Sequence, residues 1–200
     1  METIWLALLG LLLAGYFVLG GYDYGVQVLQ APLARDEAER RLALNSFGPF
    51  LLGNEVWLVA FAGVLVGAFP HLEAALLPPL HLLVSAILAG IVLGSVSVQL
   101  RSRHAGRGAR AVWDVLAMVG GLIPAAGWGL VTGLLLHGLP GPAVGLGDLL
   151  HPFVLLCAAA TTALFAGHGA AFIAMRTRDG LRARAMRAGR PLLLAAAALA

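Results

Sequence analysis

Two carboxylates stand inside long apolar runs of this sequence: Asp23, within Gly20-Gly-Tyr-Asp-Tyr-Gly25, and Glu55, within Gly53-Asn-Glu-Val-Trp57. An ionisable side chain in such surroundings is costly and is a functional candidate by default. Two carboxylates in one low-dielectric region could hold a proton near neutral pH, so the chemistry they suggest is proton uptake. A plainer reading stays open: Asp23 caps or ends a helix at an interface, and Glu55 is a protonated or hydrogen-bonded packing residue. Asn54 and Trp57 flank Glu55 and belong to the same group. His168, in Gly167-His168-Gly169, either ligates a haem iron or is a structural histidine between close-packing glycines.

Other polar residues carry less. Ser95, Ser97 and Gln99 could simply satisfy backbone or neighbouring helices. Trp113-Asp114 reads as an interfacial tryptophan followed by a first-turn acid at a helix N-terminus. His71, Glu73 and His81 fall in an outer interface, and His104, His137 and His151 in loops. The sequence holds no G-x-S-x-G, H-E-x-x-H, P-loop or C-x-x-C-H motif, so no catalytic group is expected in the chain itself. Cys157 is the single cysteine, which excludes a disulfide framework and a cysteine-based metal site. No metal site of any kind is expected.

The elements that position these residues follow from composition. The chain has 200 residues, 60% hydrophobic and 12% charged, against about 45–50% and about 25% in soluble domains. That excludes a water-facing globule. A net charge of +3 could hint at nucleic acid, but basic residues between long apolar runs are a membrane pattern, and no nucleic-acid partner is expected. A spanning helix needs about 20 mostly apolar residues, which predicts spans at roughly 4–30, 48–69, 75–98, 112–136 and 152–174. A sixth starts at Pro191, and the ten residues from there reach only about 15 Å, half the hydrocarbon core. The expected fold is an all-α polytopic transmembrane bundle with five full spans and the start of a sixth. It is expected to form one integral-membrane domain over 1–200, the N-terminal part of a longer subunit. The first span lacks a basic n-region and is too long for a cleaved signal peptide. The 31–46 segment, with Asp36, Glu37, Glu39, Arg40 and Arg41, reads as a short amphipathic solvated turn.

Every basic residue is an arginine, and all 13 fall in three connections. Arg35, Arg40 and Arg41 follow the first span. Arg101, Arg103, Arg107 and Arg110 follow the third, and the other six lie between 176 and 190. Short arginine-rich loops stay on the cytoplasmic side, which places the N-terminus outside a multi-pass plasma-membrane protein. Small residues recur four apart: Gly21/Gly25, Gly63/Gly67, Gly90/Gly94 and the stripe Gly121, Ala125, Gly129, Gly133. That spacing lets spans pack closely, within this chain or against another.

Several stretches together resemble subunit II of the cytochrome bd-type quinol oxidases. They are Gly15-Tyr-Phe-Val-Leu-Gly-Gly-Tyr-Asp23-Tyr-Gly-Val26, and Asp36-Glu-Ala-Glu-Arg-Arg41 leading to Asn45-Ser-Phe-Gly-Pro49. Gly53-Asn-Glu-Val-Trp-Leu58 follows, then Ala68-Phe-Pro70. Later come Trp113-Asp114 with Pro124 and the Gly133 to Pro140 exit, and last His151-Pro-Phe153 through His168-Gly-Ala-Ala-Phe172 to Met175-Arg-Thr177. The likeness runs in order over essentially the whole chain. It implies a partner, a haem-bearing subunit I, that carries the haems and the quinol site. The complex would oxidise quinol and reduce dioxygen. This chain would bind no haem itself, support subunit I and help build a proton route from the cytoplasm. Asp23, Asn54, Glu55 and Trp57 fall on motif positions, and Arg101, Trp113, Asp114 and His168 on motif or interface positions. Membrane lipid and a small accessory subunit are further expected partners. A small proton-coupled transporter and a purely structural membrane scaffold are the alternatives.

The departures are specific. Where the family usually reads Asp-Gly-Phe-Asp, the first acid is here Gly20. Where it has Trp-Asp before the Gly-Asn, this chain has Leu51-Leu52. At the end of the third span an arginine is replaced by Gly94 and a glutamate by Gln99, while Arg101 remains. Loss of acids together with an arginine is coherent, because an unpaired buried charge is costly. The expectation is a divergent member with a reduced or rerouted proton path.

Overall fold

The computed structural model describes residues 2–103, 106–141 and 143–200. They form helices α1 (Glu2–Leu33), α2 (Glu37–Phe47), α3 (Leu51–Ala68), α4 (Pro70–Arg101), α5 (Arg107–His137), α6 (Leu146–Leu149), α7 (Pro152–Arg176) and α8 (Asp179–Leu199). Among these, α1, α3, α4, α5 and α7 are long and apolar enough to cross a membrane. Helices satisfy their own backbone groups, which is what a chain must do where no water can. Each of the five spans lies where the apolar runs predict it. His104 lies outside the described residues.

α1 packs against α3, α5 and α7, while α4 pairs with α5 and α8 with α7. The glycines explain how tightly. Gly25 on α1 meets Gly169 on α7, Gly94 on α4 meets Gly120 on α5, and Gly129 and Gly133 on α5 lie against Ala158 and Val154 on α7. These stripes are therefore used inside the chain. Gly63 and Gly67 on α3 meet nothing and face the outer surface.

Four sequence expectations are corrected. The 31–46 segment is not a solvated turn: Glu37–Phe47 is helical, started by Asp36, whose Oδ1 accepts from the Glu39 amide at 2.9 Å. Its Ala43, Leu44 and Phe47 are buried against Tyr22, Val26 and Ile173. The charged half of the segment masks that apolar face. The arginine-rich connection before Pro191 is not a loop: α8 starts at Asp179, and this stretch is helical and buries Leu181 and Ala185. Asp114 lies two turns inside α5, not in its first turn. His137 is the last residue of α5 rather than a loop residue, and its ring stacks on His151 at 4.0 Å.

Candidate functional site

α1 carries Asp23 at the point where the helix is enclosed on all sides, and the residue is 1% exposed. Asn54 of α3 donates from Nδ2 to Asp23 Oδ2 at 2.9 Å. The same amide nitrogen lies 2.7 Å from the Tyr22 hydroxyl and 3.3 Å from the Leu19 carbonyl. Asp23 Oδ1 is buried with no hydrogen-bond partner among the described residues. A buried carboxyl held on one oxygen by a neutral amide, with its other oxygen free, has a site at which a proton can come and go.

Glu55 follows Asn54 on α3 and therefore points about 100° away around the helix. Its Oε1 accepts from Ser95 Oγ of α4 at 2.6 Å. The two carboxylates are thus joined through consecutive α3 residues and do not bond each other. Trp57 rests in the space that Gly15 leaves on α1. Ser97 returns its hydroxyl to the Leu93 carbonyl at 2.6 Å, and Gln99 is exposed.

Sequence reasoning missed four neighbours of this group on α1. Tyr16 and Tyr24, two turns apart on α1, are hydrogen-bonded through their hydroxyls, and Trp128 Nε1 donates to Tyr16 at 3.2 Å. Gln27 and Gln30 continue the Asp23 face of α1 at one and two turns, 2% and 0% exposed. Gln30 Nε2 donates to the Asp114 carbonyl at 3.2 Å. The signal was present as polar residues at positions 23, 27 and 30 of an otherwise apolar helix. Side chains of α1 fill the space beside two of the glycines. The ring of Tyr16 fills the space beside Gly20, and the amide of Gln27 fills the space beside Gly94.

Arg101 and Asp114, 13 residues apart, form a buried pair at the arginine-rich end, each 3% exposed. Arg101 also forks onto Glu37 at 3.0 and 2.8 Å, while Arg40 reaches Asp114 at 3.1 Å and Arg110 reaches Glu37 at 3.2 Å. Glu39 pairs with Arg184 of α8. These bridges bring the three arginine-bearing connections to one end of the bundle. Trp113 is half-buried beside this cluster. The Arg101 guanidinium holds the Glu37 carboxyl well below its ordinary 4.5, at about 2. A depressed carboxyl stabilises the fold fully above its unfolded value and loses that contribution as pH falls through the folded one. The detergent-solubilised protein is therefore expected to lose part of its thermal stability between pH 4.5 and pH 2. Melting curves of Glu37→Gln should show a smaller loss over that window. The change is modest, because Glu37 is 37% exposed and screened.

His168 is half-buried, with the Tyr22 ring edge-on at 5.8 Å. One residue on, Gly169 and Gly25 bring the backbones of α7 and α1 together. His168 therefore stands beside a close crossing of α1 and α7.

Fold and site together define a multi-pass helical membrane protein with buried carboxylates near its arginine-rich end. The family model "Cytochrome bd terminal oxidase subunit II" matches residues 1–200. The chain is 32% identical over 194 residues to the probable cytochrome oxidase subunit 2 of Haemophilus influenzae. It is 32% identical over 193 residues to the cytochrome bd-I ubiquinol oxidase subunit 2 of Escherichia coli K12. It is 30% identical over 198 residues to the cytochrome bd ubiquinol oxidase subunit 2 of Bacillus subtilis. These alignments cover 92%, 92% and 96% of the chain and 51%, 51% and 59% of the relatives. The chain spans about half the length of the curated relatives it matches, and it belongs to the cytochrome bd terminal oxidase subunit II family.

Proposed function

We propose that this chain works as part of the non-haem subunit of a bd-type quinol:dioxygen oxidoreductase, lying as one integral-membrane unit beside a haem-bearing subunit I. The observation that carries the reading is the family match over residues 1–200. The haems and the quinol site are assigned to the partner, which would supply the redox chemistry. The chain's own part is to support that partner and to take protons from the cytoplasm. The gathering of arginines at one end supports a cytoplasmic placement of that end, with the N-terminus outside. Asp23 and Glu55 are the proposed proton-holding groups. The free Oδ1 of Asp23 and the neutral donors Asn54 and Ser95 support that role, since each lets a carboxyl change charge without stranding a buried cation.

Two measurements test this. Affinity purification of the full-length subunit from its host should bring down a larger membrane protein with Soret and near-red haem absorbance. A lone, colourless protein would overturn the oxidase reading. In that complex, Asp23→Asn is expected to slow proton uptake coupled to oxygen consumption by roughly a hundredfold, the low end of what a positioned proton-transfer group contributes. Glu55→Gln should slow it too. Unchanged proton uptake in both, with haem content intact, would remove the carboxylates from the route while leaving the family reading in place.

A further inference from the structure

Where α7 turns into α8, Arg176, Arg178 and Arg182 line a cavity of about 550 Å³ together with Asn45 and Ser46 of α2. Among the described residues none of these three arginines is ion-paired, whereas Arg40, Arg41, Arg101, Arg110 and Arg184 all are. Asp179, the carboxylate nearest in sequence, does not line the cavity. The Arg176 guanidinium lies over the Phe50 ring, 5.2 Å from its centroid, which holds that charge in place.

Met175 and Arg182 also line a second cavity, of about 540 Å³, that runs between α7 and α8 past Ala171 and Gly189 to Leu193 and Leu194. Apart from Arg182 and Arg190 its lining is apolar. From Arg182 to Leu193 the helix rises about 16 Å, so the groove runs from the arginine-rich turn toward the apolar end of α8. The groove is apolar along most of its length, which suits an acyl chain laid between the two helices.

We propose that the joined cavities bind one anionic phospholipid from the leaflet on the arginine-rich side. Its phosphate sits among Arg176, Arg178 and Arg182, and an acyl chain lies between α7 and α8. Guanidinium groups fork onto phosphate oxygens, and basic pockets between spans on the cytoplasmic side are suited to anionic headgroups. A zwitterionic lipid such as phosphatidylcholine sets a quaternary ammonium beside the three arginines, and a free phosphate leaves the groove unused. This inference stands independently of the oxidase reading.

Native mass spectrometry of the full-length subunit, in the complex with which it is purified, tests the site. The protein is exchanged into nanodiscs of phosphatidylglycerol or of phosphatidylcholine and then released. The native protein should retain a phosphatidylglycerol that excess inorganic phosphate does not displace, and should not retain phosphatidylcholine. Each lost arginine is expected to weaken retention about fivefold, so Arg178→Gln with Arg182→Gln should weaken it about 25-fold. Ala171→Phe, which fills the groove and leaves every arginine in place, should also abolish retention. Equal retention in all variants, equal retention of phosphatidylcholine, or displacement by phosphate alone would each overturn the proposal. So would a crosslink from Met186→Cys showing that a protein segment fills the groove. Far-ultraviolet circular dichroism shows which variants are folded, and the arginine pair, being exposed, remains a valid test if Ala171→Phe is not.

Discussion

Replacing Arg101 by alanine is expected to destabilise the protein by about 3–5 kcal/mol, because it strands buried charge. Arg101 is 3% exposed and holds Asp114 and Glu37 together. Without it, Asp114 keeps only the half-exposed Arg40, and α2 loses its bridge to α4. The measurement is thermal or denaturant unfolding of the solubilised subunit, with proteolysis at the α2 segment as a local readout. A double-mutant cycle sharpens it. Arg101→Leu with Asp114→Leu should be less damaging than either single change, because an apolar pair of similar size leaves no unmatched charge between those two positions. Additive losses across the cycle would show that the pair acts independently and that its burial does not matter.

Gly25→Ala is expected to cost about 3 kcal/mol, at the upper end of overpacking. A Cβ at Gly25 would meet the Phe165 carbonyl and lie 2.8 Å from the Cα and amide nitrogen of Gly169. Those atoms are backbone, so no side-chain rotation relieves the contact, and α1 and α7 must separate. Asp23 lies two residues away, so its contact with Asn54 should loosen as well. Gly63→Ala is the control, since nothing lies within 4 Å of that position. A melting temperature unchanged in Gly25→Ala and equal to that of Gly63→Ala would show that the two helices do not cross as closely as described.

The spans were legible because each apolar run is long enough to cross a bilayer and lipid admits only self-satisfied backbone. The candidacy of Asp23 and Glu55 was legible for the same reason: a carboxyl in an apolar run stands out whatever surrounds it. Their partners were not. Asn54 and Glu55 are consecutive in the chain, yet one faces α1 and the other α4. Only helix rotation, set by packing, distributes them so. Gln27 and Gln30 become a buried polar pair only because α5 closes over them. The helix α2 was hidden because its charges dominate a short window while its buried face needs α1 and α7 to exist.

What this sequence determines by itself is therefore one-dimensional: the number and extent of apolar helices, the side of the bundle on which every arginine falls, and the presence of two acids where acids are costly. The family likeness adds to that and rests on the same residues. Tertiary structure alone decides which small-residue stripes are consumed inside the chain. It decides which arginines find a carboxylate and which remain free at the α7–α8 turn. It also decides that Asp23 keeps one oxygen without a partner among the described residues. Hydrophobicity acts on each segment separately, whereas hydrogen bonds, ion pairs and glycine contacts join residues as far apart in the chain as Gln30 and Asp114.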